Sequence, residues 1–298
     1  MDKLHYQLKE LTSRNRDGSF STQSNRHRIL QMCADHLKDG GYRTRELSVN
    51  DIKGRHVNAL LRRWRADGVS TGTIKNRLAA VRWWADKVNN AGAVKSNDDL
   101  GIDKRQYVTN ADKSLDLNSI DKSVIKSEHI MQSLNLQQNF GLRREEAMKF
   151  NAGYALQGKP PQIGDIVRIK PSWSKGGRYR EIPITTQSQV DALNEVIKLT
   201  GFDNSLIPSN KSYRQHLTHF EKQTSIAGIG QTHGLRHNYA QMRYKTLTGF
   251  ECPAVAGVRQ LTDDEKIIDK QARQKISNEL GHNRLSVTGV YLGSWGRQ

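Results

Sequence analysis

The segment LGHNRLSVTGVYLGSWGRQ, residues 280–298, sets His282 and Tyr291 on one short helical stretch bounded by Gly281 and Gly293. Two readings of Tyr291 are open at this point. An aromatic ring here can pack a last helix onto the body of a domain. A tyrosine hydroxyl is also a nucleophile once a neighbouring group accepts its proton. Only the second reading requires partners from elsewhere in the chain.

Three upstream stretches supply candidates. GLRREEAMKF, residues 141–150, places Arg143 just after Gly141, which can end one helix and open the next. Alone, this is a surface Arg-Glu helix. SWSKGGRYREIPIT, residues 172–185, puts Lys175 where two strand-like runs turn. A lysine there is either a solvated charge or a proton donor carried into a groove. THGLRHNYAQMRY, residues 232–244, aligns His233, Arg236 and His237 on one helical face. A histidine pair at this spacing can bind zinc. Here a guanidinium stands between the rings, with no carboxylate or cysteine beside them, so the site suits an anion and no metal is expected.

Bulk charge points the same way. Lys+Arg 47 against Asp+Glu 30 gives a net charge of +17 and a pI near 9.9. The excess is shared between residues 1–120 and 121–298, which implies a polyanion, nucleic acid, touching both halves. Cys33 and Cys252 form no metal-binding spacing and suit a reducing compartment. No apolar run reaches membrane-spanning length and the start lacks a signal-peptide core, so no membrane partner is expected. Localisation is expected to be cytoplasmic, in association with the nucleoid.

A chain of 298 residues has room for two domains. The first third has the 3.6-residue apolar period of helices, with Ile29, Leu30, Cys33 and Leu37 on one stripe and Ile52, Leu60, Leu61 and Trp64 on the next. A third helix follows Ser70 and Thr71, with Ile74, Leu78, Val81, Ala85 and Val88 inward and one of Trp83 and Trp84 packed inside. On its surface Lys75, Arg77, Arg82 and Lys87 are either a solvated basic face or phosphate contacts. Residues 94–120 are weakly periodic and read as a linker. Beyond them come a helix through VIKSEHIMQSLNLQQNF, strands at DIVRIKPSW and REIPIT, and helices at SQVDALNEVIKLTG, SYRQHLTHFEKQTSIAG and THGLRHNYAQMRYKTLTG.

GLRREE, the hairpin lysine, HGLRH and LGH with a following tyrosine, in this order, closely resemble the catalytic signature of the tyrosine recombinase/phage integrase family over roughly residues 113–298. The resemblance implies a mainly α fold with a small antiparallel β-sheet. A helical, SAM-like core-binding domain would occupy residues 1–108 and a mixed α/β catalytic domain residues 109–298. It implies Arg143, Lys175, His233, Arg236, His282 and Tyr291 as catalytic residues. Glu146 would buttress Arg143, and His237 would serve as a structural hydrogen-bonder. Lys75, Arg77, Arg82, Lys87 and Arg178 are the candidates for DNA contact. The implied activity is site-specific recombination for a mobile genetic element. DNA would be cut and rejoined through a 3′-phosphotyrosyl intermediate, with no cofactor. Implied partners are double-stranded attachment sites, further copies of the chain (a dimer on one site, a tetramer in synapsis) and an accessory DNA-bending or directionality factor. A type IB topoisomerase-like enzyme and a non-catalytic DNA-binding regulator of the same fold are the alternatives.

The chemistry accounts for these residue types. A phenol titrates near pH 10, so it needs a proton acceptor at the moment of attack. The pentacoordinate phosphorus gathers negative charge that paired guanidinium groups and imidazoles can hold. The leaving 5′-oxygen needs a proton, which lysine can release and arginine cannot. Two departures stand out. Arg236 and His282 lie about twice as far apart as the family leads one to expect, which marks an insertion at about 250–275 as a surface element or a docking site. Little sequence follows Tyr291 where many relatives carry a further helix, and Trp295 is a candidate anchor on a neighbouring copy.

Overall fold

The computed structural model describes residues 2–174, 176–282 and 284–296. The chain divides into two compact units, one ending at Gln106 and one beginning at Tyr107.

The first unit is four helices: α1 (Lys3–Arg14), α2 (Phe20–Asp39), α3 (Gly54–Ala66) and α4 (Thr71–Lys87). Side-chain caps start three of them. Asp2 accepts from the His5 amide, Ser19 from Thr22 and Ser70 from Thr73, satisfying donors the first turn leaves open. The apolar stripes close on Leu30, Cys33, Leu37, Leu60, Trp64, Leu78, Val81 and Trp84, all buried. Of the paired tryptophans, Trp84 goes inside and donates from Nε1 to the Val49 carbonyl at 2.8 Å. Trp83 remains half-buried, stacked under the Arg26 guanidinium. The pattern over residues 49–66 is not one helix. A 3-10 turn at Val49–Asp51, capped by Ser48, is separated from α3 by the extended Ile52 and Lys53.

The second unit is mainly helical around one β-hairpin. After two short 3-10 turns come α5 (Glu128–Phe140), α6 (Arg144–Met148) and α7 (Ala152–Leu156). β1 (Ile166–Ile169) pairs antiparallel with β2 (Arg180–Pro183), with Ile169 opposite Arg180 and Val167 opposite Ile182. α8 (Gln187–Thr200), α9 (Tyr213–Ile226), α10 (His233–Thr248), α11 (Pro253–Ala256), α12 (Asp263–Glu279) and α13 (Leu285–Leu292) complete it. The main core joins Phe140, Phe150, Val167, Ile169, Ile182, Leu193, Tyr244, Ile276 and Leu292. A second cluster gathers Ile130, Leu134, Met148, Phe220 and Leu235 between α5, α9 and α10.

Part of the segment expected to be an insertion, residues 250–275, belongs to this core through Cys252, Ala254 and Ala272. Ala272, Ile276, Ser277 and Glu279 of α12 are buried, while Ile267 and Ile268 are exposed near its start. Residues 255–260 and the first turns of α12 stand at the surface. Trp295, the candidate anchor on a neighbouring copy, is half-buried against its own chain. Its Nε1 donates to Asp269 Oδ1 at 3.0 Å, and the Arg259 guanidinium lies 5.3 Å from its ring and 4.8 Å from that of Phe250. Among the described residues, no helix is long and apolar enough to cross a membrane.

Candidate active site

Four segments converge on one cleft of the second unit. The first is the break between α5 and α6. Gly141 ends α5 in the left-handed region with φ 58°, and a Cβ there would lie 2.5 Å from Tyr239. Glycine is therefore required twice, by backbone conformation and by space. The break leaves the Gly141 carbonyl pointing inward and makes Arg143 the residue that caps α6. Glu146 closes this capping box. Its Oε2 accepts from the Arg143 amide at 2.7 Å and its Oε1 from Arg143 Nη1 at 2.7 Å.

The second segment is α10. Arg236 is fully buried and spends its donors on the Gly141 carbonyl, the Leu280 carbonyl, His282 Nε2 (3.3 Å) and Tyr291 Oη (3.3 Å). Burial lowers its pKa to about 10, with the charges of Arg143 and Arg180 acting the same way and Tyr291 and Glu146 opposing, so it stays cationic at neutral pH. Two backbone carbonyls thus hold a charge that would otherwise be costly inside the protein.

The third segment is the turn after α12, and the fourth is α13. His282 stacks on the Tyr291 ring, with centroids 5.3 Å apart and planes 21° apart. Desolvation and the charges of Arg236, Arg143 and Arg180 hold its pKa down to about 3. Arginine can only donate, so His282 Nε2 accepts and the proton sits on Nδ1, which is buried without a partner among the described residues. Tyr291 Oη lies 3.2 Å from His233 Nε2. With Arg236 Nε donating to this oxygen, the phenolic hydrogen can bond to His233 Nε2 in the tautomer that leaves that nitrogen unprotonated. Desolvation of the His233 ring, then the charges of Arg236, His237 and Arg143, lower its pKa below the ordinary imidazole range. It is neutral at pH 7 and able to accept. His233 nonetheless remains exposed to an approaching molecule, whereas Tyr291 is buried. The His237 ring packs 4.7 Å from that of Tyr291.

Arg143, Glu146, His233, Arg236, His237, His282 and Tyr291 are therefore brought together. Lys175 lies outside the described residues. The surface candidates are distributed differently. Arg178 is exposed and Lys75 half-buried. Arg82 is spent inside its own unit, donating to the Lys95 carbonyl and to Asn97 Oδ1, both at 2.9 Å. Lys87 pairs with Asp17 at 3.0 Å, and Arg77 lies 5.4 Å from the Trp64 ring with Nη1 buried.

Two polar groups central to this geometry were absent from the sequence reading. Arg180 of β2 binds Glu146 through two parallel bonds of 2.9 and 2.6 Å and donates from Nε to the Glu279 carbonyl at 2.9 Å. Glu279 at the end of α12 accepts from Tyr239 Oη at 2.8 Å and from Arg243 Nη2 at 3.0 Å. A signal for Arg180 existed. In REIPIT the strand period places Arg180 on the same face as Ile182, and an inward cation calls for a buried anion.

Residues 1–93 match the family profile described as phage integrase, N-terminal, and residues 108–242 the profile described as integrase. The chain belongs to the tyrosine recombinase, or phage integrase, family. It is a site-specific recombinase of the integrase type. The integrase profile stops short of His282 and Tyr291, which α12 and α13 return to the other residues. The fold is similar to that of the Tn1549 transposon integrase solved in complex with circular intermediate DNA, at 14% identity and a TM-score of 0.55 over 99% of this chain and 96% of that one. It is also similar to the lambda integrase dimer bound to a COC′ core site, at 14% identity and a TM-score of 0.60 over 99% of this chain and 78% of that one. No curated protein sequence matches this chain.

Proposed function

We propose that this recombinase cuts and rejoins double-stranded DNA by transesterification, with Tyr291 as the nucleophile. The observation that carries this reading is the hydroxyl of Tyr291, held between the Arg236 guanidinium and Nε2 of the neutral His233 ring. In the forward step Tyr291 Oη bonds to phosphorus as its proton passes to His233. Charge on the non-bridging oxygens is offset by the guanidinium charges of Arg143 and Arg236, with His282 bonded to Arg236 beside them. The P–O5′ bond breaks, leaving a 3′-phosphotyrosyl link, and the 5′-oxygen takes a proton from Lys175, assigned from its place in the sequence. One phosphodiester replaces another, so the step reverses without an energy source.

Residues 1–106 act as the core-binding module and residues 107–298 as the catalytic one. The substrates are paired attachment sites of a mobile element. Two copies act on each site and four in synapsis, helped by a DNA-bending or directionality factor, in the cytoplasm at the nucleoid. Permanent guanidinium charges serve at the phosphorus, so adduct formation is expected to survive EDTA.

The test is a duplex nicked beside the scissile phosphate, from which the cut end diffuses away. Wild-type protein should give a detergent-resistant protein–DNA adduct, and Tyr291→Phe none. An adduct formed by the phenylalanine variant, or none by wild type on a site that it binds, overturns the reading.

A further inference from the structure

The Glu146 carboxylate sits between two arginines that it treats unequally. Arg180 is buried and gives both ends of its guanidinium to the two carboxylate oxygens, while its Nε reaches back to the Glu279 carbonyl. Arg143 gives the same carboxylate its amide and one Nη1 donor. Its guanidinium keeps a solvent-facing edge with no further partner among the described residues. One arginine is used up inside the protein and the other is left facing the cleft.

We propose that Arg180 is a positioning residue for the transesterification, holding Glu146 so that Arg143 faces the phosphate and fixing the turn that delivers His282. The inference rests on the reading of Tyr291 given above. The carboxylate has about four acceptor positions, and each oxygen takes one bond from each arginine. Without Arg180, the two positions it fills would fall open beside Arg143. That guanidinium would turn inward into a two-point pair, and its charge would be lost to the cleft.

The second link runs through the end of α12. Arg180 Nε holds the Glu279 carbonyl, while Tyr239 and Arg243 of α10 hold the Glu279 carboxylate. The next carbonyl, that of Leu280, accepts from Arg236. Gly281 follows at φ 69°, and a Cβ on it would meet Arg180 Cδ at 2.9 Å. The Arg180 side chain therefore lies against the residue just before His282. Its Nη1 also approaches Ser174 Oγ at 3.4 Å, at the end of the hairpin arm opposite β2. No other guanidinium among the described residues joins α6, β2 and the α12–α13 turn.

The experiment measures single-turnover adduct formation at saturating nicked duplex, alongside DNA affinity and thermal unfolding. Arg180→Lys keeps a charge but cannot present parallel donors and reach the Glu279 carbonyl together. It should stay folded and bind DNA within about threefold of wild type, while adduct formation slows by about 100-fold, the scale of a misplaced catalytic group. Arg180→Met should lose more. Adding Glu146→Gln to Arg180→Met removes the carboxylate that would capture Arg143, so the double variant should form adduct faster than Arg180→Met alone. A purely structural pair would not give that recovery at saturating DNA. The proposal is overturned if Arg180→Lys reacts at the wild-type rate. It is also overturned if the loss tracks DNA affinity or folded fraction, if the double variant is no faster than Arg180→Met, or if none of the variants folds. Absence of adduct with wild-type protein would instead count against Tyr291 as the nucleophile, which keeps the two failures apart.

Discussion

At the scale of single residues, the site depends as much on backbone as on charge. Arg236 is fixed by the carbonyls of Gly141 and Leu280, so the glycine that ends α5 sets where this buried cation sits. Gly141→Ala would force a side chain into the left-handed region and against Tyr239. Strain of this kind costs about 1–3 kcal/mol. The melting temperature should fall, and adduct formation per folded molecule should fall with it as the carbonyl turns away from Arg236. Unchanged cleavage in a destabilised Gly141→Ala protein would show that Arg236 keeps its place without that carbonyl. The residues proposed to carry charge at the phosphate were legible because each sits in a short motif whose order is informative. Arg180, Glu279, Tyr239 and Arg243 were not, because their roles arise from pairing across long stretches of chain. A glutamate at the end of one helix and an arginine on a strand look solvated until the fold buries both.

At the scale of elements, periodicity and capping residues gave α2, α4, α5, the hairpin strands and α8–α10. Surface basic residues were harder to assign, since a helical wheel does not show what a neighbouring loop will claim. Arg82 is the clearest case: it ties residues 95–97 to α4. Arg82→Ala should lower the melting temperature with little change in DNA affinity. Arg178→Ala, at an exposed position, should weaken DNA binding with little change in melting. The reverse pattern would reassign both. The length between α10 and His282 read as an insertion because sequence spacing cannot distinguish added surface from an added core helix. The C-terminal half of α12 is core, and its middle turns, with Arg259, receive the segment that follows Tyr291. Arg273 Nη1 donates to the Gly293 carbonyl at 3.0 Å, and Trp295 Nε1 to Asp269. Trp295→Ala releases this clasp four residues beyond Tyr291, the proposed nucleophile. Adduct formation is expected to fall by about tenfold with DNA affinity kept, the scale of a lost orienting contact. Full cleavage by Trp295→Ala would mean that α13 holds Tyr291 unaided.

At the scale of the whole molecule, protonation of buried histidines sets an acid limit distinct from that of the carboxylates. His216 is fully buried beside Phe220 on α9, and neither ring nitrogen has a partner among the described residues. Burial, then the charges of His129, Lys211 and His219, lowers its pKa from 6.5 to about 4. Above about pH 6.5 the imidazole is neutral in both folded and unfolded chains, and its titration costs nothing. As pH falls from 6.5 towards 4 the unfolded chain takes up a proton that the folded chain refuses, so stability declines. The full penalty, reached below about pH 4, is on the order of 3 kcal/mol for this group. His282, held down to about 3, acts in the same direction. Glu146 does not contribute in the upper part of this window. Burial pushes its pKa up, but the hydrogen bond and charge of Arg180, with the charges of Arg143 and Arg236, prevail and hold it at about 2 against 4.5. The stability that Glu146 confers is complete above pH 4.5 and is lost only as pH falls towards 2. The interval between pH 6.5 and 4.5 therefore isolates the histidines. The wild-type melting temperature should drop steadily across it, and His216→Leu, which removes the titrating ring, should flatten part of that slope. A His216→Leu protein with the wild-type slope would mean that His216 titrates alike in the folded and unfolded chains.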